Sequence, residues 1–280
     1  MLPGSGGSHE VPGTPARTRG RRRAPADGRD PGVHDRHLKL VVEYDGADFA
    51  GWQVQPGQRT VQGVLEEAFG DLSGRAVRVT GAGRTDAGVH ALAMTAHVDL
   101  ETDLEAASIR NAVNARLEDD VLLHDVSDAP PDFHARYSAT ARSYLYLMGR
   151  SRSPIWRGRR WFVRGPLDLD AMSAATEALA GEHDFSSFCL AGSEPEHHRC
   201  RVDAISIECE PRYGGMIVFH IRADRFLRGM VRSIVGTLVE VGRGRFAAGE
   251  MGDILDAMDR GRAGPTAPAC GLYLERVDYE

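Results

Sequence analysis

The chain of 280 residues has no run of eighteen apolar residues, so nothing in it reads as a membrane-crossing helix. Its start, MLPGSGGSHE, has neither a basic leader nor an apolar stretch after it, so no secretory signal is read there and the expected location is the cytoplasm. Cysteine is scarce: Cys189, Cys200, Cys209 and Cys270 are the four present, and no two have CxxC spacing. They read as reduced thiols rather than a disulfide framework or a zinc site. His197, His198 and Cys200 lie close together, but structural zinc sites usually draw paired ligands from two places, so no metal is assigned. The sequence also lacks GK[ST], which removes the P-loop.

Another absence is local. Between Arg136 and Arg164, RYSATARSYLYLMGRSRSPIWRGRRWFVR, there is no acidic residue, while eight arginines occur among Tyr137, Tyr144, Tyr146, Trp156, Trp161 and Phe162. The net charge of −6 hides this run. Binding follows local fields, and cations beside rings that can stack on bases are the footprint of a nucleic-acid surface. A plain solvated face mixes its signs.

Residues 1–35 are rich in Gly, Pro and Arg and hold almost no large apolar side chain, so this segment is expected to be a disordered extension. Order is expected from HLKLVVEYDG, an apolar strand ending in an Asp-Gly turn. Val61, Val64, Leu65, Ala68, Phe69 and Leu72 then mark one helical face, with Gly74 as its stop. AVRVT reads as a short strand. In VHALAMTAHVDL, His90, Leu92, Met94, Ala96, Val98 and Leu100 alternate with smaller or polar residues, which predicts another strand. A helix over 104–117, strands over 121–127 and 140–149, and a helix over 168–180 follow. ISIEC and GMIVFHIRA form a hairpin, and the periodicity predicts a long helix from Arg225, then a short helix and a last strand, GLYLERV. The fold class is α+β: two similar α/β halves with mostly antiparallel, ferredoxin-like sheets and an active-site cleft between them. The expected boundaries are 36–138 for the N-terminal half and 139–280 for the C-terminal half.

The densest signal is GAGRTDAGVHA, residues 81–91, where one acid, Asp86, stands among three glycines and three alanines. A phosphate cradle would need a helix directly after the glycines, but a strand follows, and the spacing is GxGxxxxG. The glycines are therefore expected to allow a large substrate to approach Asp86.

With GRTDAGVHA stand YDGADFAGWQVQ and TVQG, DFHARYSATARSYLY, HDFSSF, FLRGMVRSIVG and APACGLYL, in that order. Together they resemble the tRNA pseudouridine synthase A family from about Leu38 to Glu280. The resemblance implies a two-domain α/β homodimer that uses neither cofactor nor metal. It implies isomerisation of uridine to pseudouridine at positions 38–40 of the tRNA anticodon stem-loop. Carried over residue by residue, it makes Asp86 the catalytic group, although a lone loop aspartate is ordinarily a turn or cap. It makes Arg232 the partner that orients Asp86, since a guanidinium beside a carboxylate favours the charged form. Tyr144 becomes the residue that stacks on the target base, Arg84 the one that enters the space the base leaves, and Leu272 the cover on the other face of the uracil. From the residues alone, Tyr146 competes with Tyr144. Arg225, Arg228 and Arg232 read as a cationic stripe on one helix face. The Arg-rich extension departs from the family pattern, and CLAGSEPEHHRC matches it only loosely. Two other readings stand beside this one: a non-catalytic RNA-binding module on the same fold, and an oxidoreductase with GAGRTDAG as its cofactor loop. The strand after Gly88 disfavours the oxidoreductase. The joint presence of Asp86, Tyr144 and Arg232 disfavours the pure binder.

Overall fold

A computed structural model describes residues 34–192, 197–211 and 215–280. The extension expected over 1–35 lies outside the described residues except for His34 and Asp35, which already belong to the first strand. The elements run β1 (His34–Tyr44), α1 (Val61–Ser73), β2 (Val79–Gly81), β3 (His90–Thr102), α2 (Ala106–Asn114), β4 (Val121–Asp128), β5 (Ala139–Gly149), β6 (Trp161–Phe162), α3 (Leu169–Thr176), β7 (Gly181–Asp184), β8 (Arg199–Glu210), β9 (Met216–Ala223), α4 (Met230–Gly242), α5 (Glu250–Asp256) and β10 (Leu272–Tyr279).

All ten strands join one sheet, whose main order is β4-β1-β3-β10-β5-β9-β8-β7, with β2 paired to β3 and β6 to β5. Every pairing is antiparallel except β10 with β3 and β5 with β6. The fold is thus mixed α/β on a mostly antiparallel sheet, as the alternation of strand and helix signals predicts. Two buried clusters flank it. One gathers Leu38, Leu40, Leu65, Phe69, Met94 and Ile109 from β1, α1, β3 and α2. The other gathers Tyr146, Met172, Phe219, Ile234 and Leu238 from β5, α3, β9 and α4, with Phe185 from the turn after β7. The last strand, β10, forms the seam between them. Its Leu272 packs in the second cluster and its Leu274 in the first.

Local chemistry sets most boundaries. The Thr60 side chain accepts from the Gly63 amide to cap α1, and Gly74 ends that helix in the left-handed region at φ 69°. On β3, Met94, Ala96, Val98 and Leu100 are buried as the alternation requires, whereas Leu92 is 40% exposed. α2 is shorter than expected: Asn114 ends it, its side chain paired to the backbone of Leu123 on β4.

One element differs in a way that matters for function. The long helix expected from Arg225 begins only at Met230. Gly229 has φ +68°, and Leu190 lies 2.3 Å from where a Cβ on Gly229 would stand. A left-handed residue cannot continue an α-helix, so residues 225–229 form an irregular segment pinned against 189–192. The periodicity misleads because Leu227 is buried and Phe226 partly buried without being helical. The cationic stripe is therefore dissolved. Arg228 donates to the carbonyls of Ala191 and Gly192, Arg225 meets the His197 ring, and only Arg232 lies on α4.

Candidate active site

The loop from Gly81 to Val89 joins β2 to β3 and rests on the segment after β1. The Trp52 amide donates to the Thr85 carbonyl at 3.1 Å, and the Tyr44 hydroxyl pairs with the Thr85 hydroxyl at 2.8 Å. Burial pushes the Tyr44 phenol well above its ordinary range, so it stays a neutral hydrogen-bonding anchor. The loop glycines have separate tasks. Gly81 lies flat on the Trp52 indole, which would sit 2.6 Å from an added Cβ. Gly88, at φ +77°, turns the chain so that the Val89 amide reaches the Asp86 carbonyl at 3.2 Å. Only Gly83 faces open space and lines the pocket. Of the three, only Gly83 is open as close approach of a substrate would require, and packing and turn geometry account for the others.

Asp86 projects from this loop toward α4. Arg232 Nη1 donates to Asp86 Oδ2 at 2.8 Å, and its Nε donates to the Ala267 carbonyl at 2.8 Å. The two side chains are 30% and 19% exposed, so the pair is shielded but open on one side. This contact spans 146 residues of sequence. It is charge-assisted, and the second bond to Ala267 fixes the plane of the guanidinium.

The same loop borders a small pocket lined by Ala82, Gly83, Arg84, Arg142, Tyr144, Phe226, Leu274 and Val277; Asp86 and Arg232 do not line it. Tyr144 stands on β5 with its ring edge-on to Phe226 at 5.0 Å. Its phenol is pushed up to about 12, chiefly by burial, with Asp86 adding to the rise and Arg142 opposing it. It therefore keeps its proton, and its power to donate, across the neutral range. Tyr146, the competing ring, is fully buried and donates to the Pro268 carbonyl at 2.7 Å, so it serves the core. Arg84 is exposed at the pocket's edge. Leu272 is 6% exposed, pairs with Tyr146 across the strands and does not line the pocket. Leu274, which pairs with Tyr144, does.

Two residues escape a reading of the sequence. Leu274 is one pleat beyond Leu272 on the same face, and only the register against β5 tells which of them meets Tyr144. Arg142 is one of the eight arginines of the acid-free run, yet its guanidinium is turned inward onto backbone carbonyls: Ala139 (3.2 Å), Asp224 (2.8 Å), Ala82 (3.2 Å) and Arg136 (2.7 Å). It fastens the loop that carries Asp86 to the start of β5 and the end of β9. Arg160, 6% exposed, likewise donates to the Ser151 carbonyl, and Arg159 pairs with Asp45. Six of the eight remain exposed, namely Arg136, Arg150, Arg152, Arg157, Arg159 and Arg164.

Among the described residues no cluster of three His, Cys, Asp or Glu side chains could hold a metal, and no helix is long and apolar enough to cross a membrane. All four cysteines are free, and burial pushes the Cys200 thiol up to about 12.

Comparison with known proteins places the chain among RNA-modifying isomerases. A sequence model described as tRNA pseudouridine synthase matches residues 40–138 and 175–280. The chain is 47% identical over 244 residues to the tRNA pseudouridine synthase A of Maricaulis maris, covering 86% of this chain and 97% of that one. It is 44% identical to the protein of the same name from Parvibaculum lavamentivorans (86% and 98% covered) and 42% identical to that from Pelobacter propionicus (87% and 100%). The chain belongs to the tRNA pseudouridine synthase family, isomerases that convert uridine in tRNA to pseudouridine.

Proposed function

We infer that this protein isomerises uridine to pseudouridine at positions 38–40 of the tRNA anticodon stem-loop, with Asp86 as the catalytic carboxylate. The observation that carries the reading is the Asp86–Arg232 contact beside a pocket that holds Tyr144 and Arg84. The reaction breaks the bond from N1 to C1′, turns the base and joins C5 to C1′, with the C5 proton lost and one gained at N1. A carboxylate suits it in two ways. It can attack as a nucleophile, or it can accept a proton and offset positive charge developing on the ribose. Arg232, gripped by the Ala267 carbonyl, holds that carboxylate at one place and angle.

The target nucleotide is stacked where the stem meets the loop, so it must leave the stack at a cost of a few kcal/mol. Arg84, exposed at the rim, is the residue that fills the space left behind. The extruded uracil rests on Tyr144, and Leu274, with Leu272 behind it, supplies the apolar contact on the β10 side. Incubation with unmodified tRNA followed by mapping of pseudouridine tests the reading. Product at 38, 39 or 40 supports it, and product confined to other positions refutes the assignment of the site.

Tyr144→Phe is expected to slow single-turnover isomerisation less than Tyr144→Ala. The ring contributes stacking of roughly 1–3 kcal/mol, which Phe retains, and the neutral phenol adds a single hydrogen bond. Equal impairment of the two variants would remove stacking from the role of Tyr144.

The exposed arginines carry the contacts with phosphate. Arg150, Arg157 and Arg164 changed together to Gln are expected to flatten the dependence of log affinity on log salt by about two to three units. The same change at Arg142 and Arg160 should leave the slope within about one unit of wild type, because those guanidinium groups are spent on backbone carbonyls. Filter binding of tRNA across a salt series gives the comparison.

A further inference from the structure

Of the six rings in the acid-free run, Tyr137 is the most exposed, at 76%, while Phe162 is at 38% and Tyr146 is fully buried. A ring this open is normally mobile, yet everything around Tyr137 holds its backbone still. His134 Nδ1 accepts from the amides of Arg136 (3.1 Å) and Tyr137 (3.3 Å). The His134 amide donates to the Ser138 hydroxyl, and the Ser138 amide donates back to the His134 carbonyl, both at 2.9 Å. Ala135 at the root of the turn is fully buried, with its amide on His97 Nδ1 and its carbonyl receiving the Tyr279 hydroxyl. The rings form a chain of contacts: His97 meets His134 edge-on at 4.7 Å, and His134 meets Tyr137 at 4.4 Å with 36° between planes. The Arg136 guanidinium lies 5.5 Å from the Tyr137 centroid.

This turn is also tied to the catalytic loop. One nitrogen of Arg142, Nη2, donates both to the Arg136 carbonyl and to the carbonyl of Ala82, which lines the pocket. The turn bearing Tyr137 is thereby fixed to the rim that carries Arg84. Folding alone gives no reason to brace an exposed tyrosine in this way, since its burial contributes little. A rigid ring with a neighbouring cation, tied through Arg142 to a loop that lines the pocket for an extruded base, matches the chemistry that binds an unpaired nucleotide: stacking on the base and a charge for its phosphate.

We propose that Tyr137 is a stacking platform for an unpaired base of the tRNA adjacent to the target nucleotide, with Arg136 on that nucleotide's phosphate. The proposal rests on the RNA-modifying reading above and adds a second base-binding position outside the pocket. It places affinity, rather than the chemical step, in the Arg136–Tyr137 turn.

The test measures tRNA affinity, salt dependence and pseudouridine formation for wild type, Tyr137→Ala, Tyr137→Phe, Tyr137→Trp and Arg136→Gln. Tyr137→Ala is expected to weaken binding roughly fivefold to 150-fold, the range that loss of one stacked base gives. The Phe and Trp variants should stay within about twofold of wild type, because any aromatic face serves. Arg136→Gln should flatten the salt slope by about one unit, while Tyr137→Ala leaves the slope unchanged. A substrate with 2-aminopurine placed in turn at each unpaired position should show one position quenched by wild type and released by Tyr137→Ala. Affinity of Tyr137→Ala within twofold of wild type overturns the proposal, as does a Phe variant as weak as Ala. A change in sedimentation of Tyr137→Ala would show that a second copy of the chain covers the ring, which also overturns it. These outcomes are separate from the functional reading, which fails if wild-type protein makes no pseudouridine in tRNA, whatever its affinity.

Discussion

Replacing Asp86 by asparagine is expected to lower the single-turnover rate of pseudouridine formation by about a thousandfold or more, with tRNA affinity changed less than about threefold. The amide keeps the shape of the side chain, and its oxygen can still accept from Arg232 Nη1, so the loop should stay in place. What it loses is the carboxylate's ability to attack or to take up a proton. Affinity should be retained because, on the proposed reading, binding draws on exposed arginines spread along the surface rather than on this side chain. A rate for Asp86→Asn within tenfold of wild type would show that another group does the chemistry.

The next largest effect is expected at Arg232. Arg232→Met removes the cation from Asp86 Oδ2 and leaves the Ala267 carbonyl without its donor. Loss of orientation at a reacting group costs on the order of a hundredfold in rate, and the lost charge adds to that. Arg232→Lys is the informative control. A single ammonium cannot reproduce two donors in a fixed plane, one toward a carbonyl and one toward a carboxylate, so Lys should restore well under a tenth of the lost rate. Thermal melts of both variants separate this from unfolding: Lys keeps the stem and should melt close to wild type while remaining slow. A Lys variant as fast as wild type would reduce Arg232 to a counter-charge without an orienting role.

Asp86 and Tyr144 are legible as sequence because a dense motif surrounds each of them, whereas the surroundings of Arg232 are misread. Arg225, Arg228 and Arg232 share a helical spacing, and nothing in that spacing reveals that Gly229 is left-handed and that Leu190 fills the space beside it. The acid-free run is misjudged in a similar way. Arg142, Arg160 and Arg164 are the same residue type in one basic stretch, yet the first two are turned onto carbonyls and only the third is exposed. A guanidinium carries five donors that satisfy buried carbonyls as readily as phosphate, so charge count does not separate the two uses. Leu272 and Leu274 lie on the same face of one strand, and only the pairing with β5 separates the one beside Tyr146 from the one beside Tyr144.

By itself the sequence determines the elements and the chemical groups. Periods of two and of 3.6 residues come from local backbone geometry, so β1, α1, β3 and β5 are written in the spacing of their apolar residues. The carboxylate at Asp86, the ring at Tyr144 and the strand after the glycines are visible at the same level. Tertiary structure decides which groups meet. β10, the last strand of the chain, inserts between β3 and β5, and Arg232 reaches Asp86 across 146 residues. Such contacts depend on long-range pairing and on single backbone conformations such as that of Gly229, and neither leaves a periodic trace in the chain.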